Sequence, residues 1–241
     1  MILYQIRSLI ILLFPACCFC QINTNDTANK QSSNSYNIQL YSKLVGGSSQ
    51  LYNGSEYTGS YPDVTGFPFY ASEEFQKGYI GYDHIMYYNI PIAYDLVANE
   101  IIIKGYQGLN VKLLNERIDS FSIMNHVFIN LITDSTNLKL PAPGFYELAY
   151  NGTIKLLIKR RKQIERAFKT EDPYHFTQYD IYYILKDGNY LNIDNKRTLF
   201  NVFKERNKEI NSFYKASKLK FKKEPEKTII RITSWYDQLK K

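Results

Sequence analysis

The sequence predicts an α+β fold in which an antiparallel β-sheet, curled into a sandwich or a half-barrel, is followed by two C-terminal α-helices. Residues 78–123 alternate aromatic and β-branched residues with short polar turns, which is typical of consecutive strands. Residues 176–193 contain two apolar runs joined at Asp187-Gly188, a preferred hairpin turn. Beyond Asn195, apolar residues recur at helical spacing instead.

The first twenty residues have the layout of a removable secretion signal. Arg7 supplies a positive region, residues 9–14 supply an apolar core, and Cys18-Phe19-Cys20 precede a cut at Gln21. The apolar run is shorter than the roughly 20 residues that a membrane-spanning helix needs. We therefore expect an exported protein that is periplasmic, outer-membrane-associated or extracellular and has no transmembrane segment in its mature chain.

All three cysteines lie inside this signal, so the mature chain is expected to lack disulfides and thiolate chemistry. An alternative is lipoprotein processing, in which Cys17 or Cys18 is acylated and anchors the protein. The preceding residues, Phe14-Pro15-Ala16, match that processing poorly. The two outcomes differ in whether the mature protein carries a lipid at its N-terminus.

The rest of the chain divides into three parts. Residues 21–37 are rich in Asn, Thr, Ser and Gln and predict a flexible leader. Residues 38–194 predict the antiparallel β domain, with later strands at 127–132, 144–150 and 153–164 and a helix over 158–168 as an alternative. Residues 195–241 predict a helical pair packed on the sheet, capped at Asp194 or Asn195 and with Pro225 near the start of the second helix.

Five short motifs with tyrosine or glycine stand out: LYNGSEY at 51–57, a GxPF turn at 66–69, GYIGYD at 78–83, IPIAYDL at 90–96 and GFYELAYNG at 144–152. Together they resemble a group of secreted envelope proteins of Bacteroidota for which no activity is established. The resemblance spans most of the mature chain. It implies an exported, β-rich envelope protein of a Gram-negative cell.

Residues 51–69 interleave glycine and small polar residues with tyrosines, and this pattern has two interpretations. Tyr, Asn and Glu side chains stack on and hydrogen-bond to sugars or peptides, which predicts a ligand loop. Alternatively, the tyrosines fix a structural turn on the sheet. The candidate ligand-binding residues are Tyr52, Asn53, Glu56, Tyr57 and Tyr61, together with Asp83 and His84 from a nearby turn.

Charge is divided unevenly along the chain: residues 21–150 carry a net −5 and residues 151–241 a net +11. The basic half predicts a patch that binds an envelope component, a glycan or an anionic lipid surface rather than nucleic acid. A solvated lysine-rich surface is the alternative. The candidate patch residues are Lys159, Arg160, Arg161, Lys218, Lys220, Lys222 and Lys223.

The sequence contains no recognisable catalytic or metal motif. His84, His126 and His175 lack metal-ligand spacing, and neither a GxSxG nucleophile elbow nor a phosphate-binding loop is present. We therefore predict no catalytic residue, no metal and no cofactor. Asp95 is expected to end a strand and fix a turn.

Two functions follow from these observations. The first is a non-enzymatic, exported envelope protein that binds a ligand or an envelope component through a tyrosine-rich sheet and loop surface. The second is a hydrolase of glycan or peptide that uses a carboxylate pair. Its carboxylates would be drawn from Glu56, Asp83, Asp95, Glu100 and Glu147.

Overall fold

The computed structural model describes residues 50–105, 108–132, 141–167 and 173–239, in which twelve strands form one open sheet. The strands are β1 (Ser55–Glu56), β2 (Val64–Thr65), β3 (Gln76–Tyr82), β4 (Ile85–Asp95), β5 (Glu100–Lys104), β6 (Asn110–Lys112), β7 (Ile118–Ile123), β8 (His126–Leu131), β9 (Gly144–Asn151), β10 (Lys155–Arg166), β11 (Tyr174–Lys186) and β12 (Asn189–Asn192). Their order across the sheet is β1-β6-β5-β4-β3-β7-β8-β9-β10-β11-β12, with antiparallel neighbours, and β2 pairs in parallel with β11. The predicted antiparallel sheet is confirmed.

Tight turns connect the sheet's hairpins. The two residues at the tip of each of three hairpins, Asp83-His84, Met124-Asn125 and Asp187-Gly188, all have positive φ angles. Two consecutive positive φ angles are the mark of a type I′ turn, whose twist matches that of the flanking strands. The hairpin predicted at Asp187-Gly188 is confirmed, because β11 and β12 pair on either side of it.

The strand β10 fixes which side chains share a face of the sheet. Every residue of β10 pairs with β11, so the helical alternative for residues 158–168 is wrong over the described part of that range. Because strand side chains alternate, Leu156, Ile158 and Arg160 lie on one face and Lys159 and Arg161 on the other. We call the first the inner face, because it packs against both hydrophobic cores, and the second the outer face.

The sheet curls until β4 approaches β10, five strands away in the sheet order. At this seam the backbone N–H of Lys162 donates to the carbonyl oxygen of Leu96 at 3.0 Å. The Lys162 ammonium donates to the carbonyl oxygens of Phe67 and Phe69, each at 2.8 Å. The segment before β3 is thereby tied to the far side of the sheet.

The inner face of β3, β4, β5, β7, β8 and β9 encloses an aromatic core. Phe121 stacks on Phe128 with ring centroids 4.8 Å apart, and Tyr94 meets both rings edge-on. Phe145 adds a further edge-to-face contact with Phe121. These rings are almost completely buried, and each contributes roughly 2–3 kcal/mol by leaving water.

Three helices build a second core on the inner face of β10 and β11. They are α1 (Lys196–Val202), α2 (Asn207–Ala216) and α3 (Pro225–Leu239). The sheet contributes Leu156, Ile158 and Ile184, and the helices cover them with apolar side chains. The helices and the turn after α1 contribute Leu199, Phe200, Phe203, Ile210, Ile229, Ile232 and Tyr236.

The first predicted helix is divided into α1 and α2. Asn195 caps α1 as expected, by accepting a hydrogen bond from the backbone N–H of Thr198 at 3.0 Å. The chain tightens into a 3-10 turn at Lys204–Arg206 before α2 begins. In this turn Glu205 accepts hydrogen bonds from Lys186 and Tyr236, which tie the interruption to β11 and α3.

A buried carboxylate joins the last helix to the sheet. Asp237 of α3 accepts hydrogen bonds from the Tyr150 hydroxyl at 2.9 Å and from the Thr153 backbone N–H at 3.1 Å, and it also binds the Thr153 hydroxyl. Burial alone favours the neutral acid, but the hydrogen bonds from Thr153 and Tyr150 outweigh it and lower the pKa of Asp237. The turn between β9 and β10 is thus fastened to α3.

Several predicted features lie outside the described residues. These are the secretion signal with its three cysteines, the leader at 21–37 and the first residues of the predicted β domain up to residue 49. In the described part of the chain, no helix has the length and apolarity needed to cross a membrane.

We expect Asp237→Ala to lower the free energy of unfolding by about 2 kcal/mol, because the Tyr150 hydroxyl and the two donors of Thr153 lose their acceptor. Urea unfolding followed by circular dichroism measures the change. The matched control is Gln238→Ala, which alters the next, exposed residue of α3. Because the folded pKa of Asp237 is lowered, the stabilisation is present above about pH 4 and is lost as the pH falls towards the folded pKa. An equal loss in both variants would contradict this assignment.

Candidate functional site

A cleft with a volume of about 970 Å³ lies between the β11–β12 hairpin and the helices. Its walls come from β11, from the segment that leads from β12 into α1, and from the connection between α2 and α3. The apolar and aromatic wall residues are Tyr182, Ile193, Tyr214, Phe221 and Pro225. A volume of this size is typical of small-molecule sites.

The aromatic walls are held in place by local contacts. Tyr182 lies opposite Ile158 across the β10–β11 pair, so its ring is directed towards the helices. The backbone N–H of Phe221 donates to the Tyr214 hydroxyl at 3.3 Å, which shapes the connection between α2 and α3. Burial raises the pKa of Tyr182 to about 12, so its phenol stays neutral at physiological pH.

Charged side chains border the cleft. Lys196, Arg197 and Lys222 are exposed there, opposite the carboxylates of Asp180 and Asp194. The Lys196 ammonium lies 4.0 Å from the ring centroid of Tyr214, a cation–π contact. Asp180 is paired with the buried Arg160, so the positive charges at the mouth exceed the unpaired negative charges.

A buried ionic network centred on Arg160 adjoins the cleft through Asp180. The guanidinium donates to Glu147 at 2.7 Å, to Asp180 at 2.7 Å and to Glu226 at 2.6 and 2.9 Å. Arg160 and Glu147 side chains are each only 5% exposed. The network joins β9, β10, β11 and α3 at one point between the two cores.

Further polar groups complete the network at Glu147. The His126 Nδ1 lies 2.6 Å from Glu147 Oε1, and the Tyr70 hydroxyl donates to Glu147 Oε2 at 3.5 Å. Burial and the charge of Glu147 raise the pKa of Tyr70. Although burial opposes its charge, the hydrogen bonds that Arg160 donates to Glu226 and the negative charge of the surrounding carboxylates raise the pKa of Arg160.

Every carboxylate of the network has a direct hydrogen-bond partner. One guanidinium satisfies three carboxylates by direct hydrogen bonds, so each acid has a cationic partner. Within the described residues, no group of three or more histidine, cysteine, aspartate and glutamate side chains could hold a metal ion. The arrangement therefore fits an electrostatic clamp between the cores rather than a reactive centre.

Two of the predicted ligand-binding tyrosines instead contact a buried carboxylate. Tyr57 and Tyr61 donate to Asp95 Oδ2 at 2.7 and 2.9 Å. The other oxygen of Asp95 accepts from the backbone N–H groups of Val97 and Ala98 at 2.8 and 3.0 Å. Asp95 therefore ends β4 and fixes the following turn, as predicted, and the tyrosine loop is fastened over it.

The remaining ligand-binding candidates lie elsewhere. Asp83 pairs with Arg117 at the opposite end of β4, and the side chain of His84 is 92% exposed beside Asp119. Tyr52 packs against the aromatic core, whereas Asn53 and Glu56 are exposed. The structure thus places these residues in separate groups. Their role in ligand binding stays a prediction.

The predicted basic patch is also divided. Lys218, Lys220, Lys222 and Lys223 are exposed in the connection between α2 and α3. Lys159 and Arg161 lie on the outer face of the sheet, away from the helices. The prediction that Arg160 belongs to the basic patch is wrong, because its side chain is buried in the ionic network.

The carboxylates proposed for a hydrolase have partners of other kinds. Asp83, Glu100 and Glu147 pair with Arg117, Lys112 and Arg160, respectively. Asp95 accepts hydrogen bonds from tyrosines and backbone, and Glu56 is exposed. Asp83 lies in the turn before β4 and Asp95 is the last residue of β4, so the strand, about 30 Å long by strand geometry, separates them.

The sequence analysis missed the Arg160 network and the cleft beside it. One signal was available: the alternation of Ile154, Leu156 and Ile158, continued by one step, places Arg160 on the apolar face. A charged residue in that position needs buried partners. Which carboxylates serve, however, depends on strand order and helix docking, and no local pattern reports these.

Comparison of the chain with protein-family models, with curated proteins and with solved structures finds no match. The resemblance to secreted envelope proteins accordingly stays a prediction.

We expect Arg160→Met to lower the free energy of unfolding by roughly 3–5 kcal/mol, because three carboxylates lose their buried counter-charge. Arg161→Met, the neighbouring arginine on the outer face, is the matched control and should change stability by about 0.5 kcal/mol or less. Denaturant titration of both variants provides the comparison. Equal effects would show that the network does not stabilise the junction of the cores.

Proposed function

We propose that this chain is an exported, non-enzymatic protein of the cell envelope that binds a ligand or an envelope component. Its ligand occupies the cleft between β11 and the helices. The observation that carries this proposal is a cleft of about 970 Å³ whose walls include Tyr182, Tyr214 and Phe221. Aromatic walls with a few charged groups at the mouth are the usual composition of a small-molecule site.

The lining also favours one chemical class of ligand. Aromatic and aliphatic walls suit an apolar or ring-shaped body, and tyrosines stack on such groups while keeping a polar tip. Lys196, Arg197 and Lys222 at the mouth favour an acidic group on the same molecule. An amphipathic anion, such as an acidic glycan fragment or an acyl-linked phosphate, combines both features.

Binding is favoured over hydrolysis by the state of the nearby acids. Asp180 lines the cleft, but its carboxylate forms a salt bridge with Arg160. The carboxylate of Glu226 is paired with the same arginine. Asp194 is exposed at the start of α1. A glycosidase needs a free acid and a free base that face each other across the substrate. The cleft is therefore better suited to binding than to hydrolysis.

The cleft can be tested with 8-anilinonaphthalene-1-sulfonate, an aromatic anion whose fluorescence rises in apolar sites. We expect it to bind the folded protein at one site, with affinity about tenfold weaker in Lys222→Glu, which corresponds to about 1.4 kcal/mol. Lys223→Glu is the matched control, because Lys223 is equally exposed but does not line the cleft. Equal weakening by both variants would place the probe elsewhere on the basic surface.

Export is tested independently of the cleft. Mass spectrometry of the protein recovered from its native envelope should find an N-terminus at Gln21, because the preceding residues are predicted to be a cleaved signal. A lipid-modified cysteine at position 17 or 18 would instead assign a lipid-anchored protein. Full-length chain confined to the cytosol would contradict the proposal.

A further inference from the structure

A second, smaller cleft opens at the seam of the sheet, along the edge of β10. β9 pairs with β10 only as far as Ile158, and the turn after β4 lies beside β10 beyond that point. The hydrogen bond from the Lys162 backbone to Leu96 holds the turn there. The resulting space has a volume of about 550 Å³ and is lined by Leu96, Val97 and Asn99 and by residues 159–164 of β10.

Lys159 is half-buried in this cleft without an acidic partner among the described residues. Its ammonium lies 4.8 Å from the ring centroid of Tyr146. Burial, reinforced by the positive charge of Arg161, lowers the pKa of Lys159 to about 8. Arg161 likewise forms no salt bridge with a described carboxylate, so two positive charges face the same space uncompensated.

A third donor reaches the same place. The Asn99 side chain accepts a hydrogen bond from the Tyr94 hydroxyl at its oxygen, at 2.8 Å, which leaves its NH₂ group without an acceptor in the described residues. Gly144 shows that this NH₂ group and the lysine are close together. A Cβ atom added to Gly144 would lie 2.5 Å from Lys159 Nζ and 3.2 Å from Asn99 Nδ2.

Beside Lys159, β9 and β11 carry phenols rather than carboxylates. The titratable groups there are Tyr146 and Tyr183, and burial raises the pKa of both phenols, so they are neutral at physiological pH. The carboxylate farther along the same face of β10, Glu165, accepts hydrogen bonds from Thr177 and Tyr179. The site therefore presents hydrogen-bond donors and positive charge with no matching acceptor. Such a group is complementary to an oxyanion.

We propose that Lys159, Arg161 and the Asn99 amide form a binding site for a small oxyanion, the phosphate or carboxylate group of a ligand. The site is separate from the helix-bordered cleft, because Lys159 and Arg161 lie on the opposite face of the sheet. Gly144 matters for it, because any side chain at this position would fill the space between the donors. The bound oxyanion would be the counter-charge for Lys159 and Arg161, which form no salt bridge with a described carboxylate.

The experiment uses the wild-type chain and the chemical reactivity of its lysines. Trace acetylation with acetic anhydride, read by mass spectrometry, reports the free-amine fraction of each lysine as a function of pH. In chloride, Lys159 should react with a midpoint near pH 8. Millimolar inorganic phosphate or acetate at equal ionic strength should raise this midpoint, because a bound anion favours the ammonium form. A shift of one pKa unit slows acetylation about fivefold at pH 8.

Internal and variant controls make the result specific. Lys155, exposed on the same strand and face, should be unaffected by the choice of anion. Asn99→Ala and Arg161→Met should each abolish the protection of Lys159, whereas Lys222→Glu should preserve it, because Lys222 belongs to the other cleft. Stronger protection by phosphate or by acetate identifies the preferred group. Equal reactivity of Lys159 in all three salts, or equal protection of Lys155, would overturn the proposal.

Discussion

The charge of Arg160 is the constraint on which the arrangement of the two cores depends. A guanidinium at this depth is tolerated only because Glu147, Asp180 and Glu226 surround it, and these acids come from β9, β11 and α3. Of the three acids, Glu147 is the one that depends most on the arginine, because its side chain is only 5% exposed. The helices can therefore dock on the sheet in one register, since a shift along β11 would separate Glu226 from its partner. Apolar burial supplies most of the stability, whereas this network specifies where the helices lie.

A buried carboxylate also determines the position of the tyrosine-rich loop. The loop that carries Tyr57 and Tyr61 has the composition of a ligand loop. Their hydroxyls nevertheless complete the hydrogen bonding of Asp95, which is fully buried. Without these donors the carboxylate would be under-satisfied at one oxygen. The same aromatic residue types thus serve structure at this end of the sheet and line the cleft at the other end, as Tyr182 and Tyr214 do. Composition cannot distinguish the two uses.

Features determined by neighbouring residues were predictable from the sequence. The strands from residue 78 onwards, the turn at Asp187-Gly188, the cap at Asn195 and the turn-fixing role of Asp95 each depend on a local pattern. The contacts of Glu205 at the helical interruption were not predictable, because they involve Lys186 from β11 and Tyr236 from α3. The contacts of Arg160 and Lys159 escaped for the same reason. They are set by strand order and by the curl of the sheet, which bring together residues far apart in the chain.

The seam between β4 and β10 has a consequence for how the chain folds. Leu96 meets Lys162, and Val64 pairs with Tyr174, so these contacts close loops of tens to more than a hundred residues. Loop closure over such lengths is entropically expensive and slows folding. The hairpins can assemble locally, but the curl is completed only when the segment before β3 and the strand β11 are both in place. A nascent chain emerging from its N-terminus would hold an unfinished ribbon with an exposed aromatic surface until its last quarter arrives, and it would be most vulnerable to aggregation during that interval.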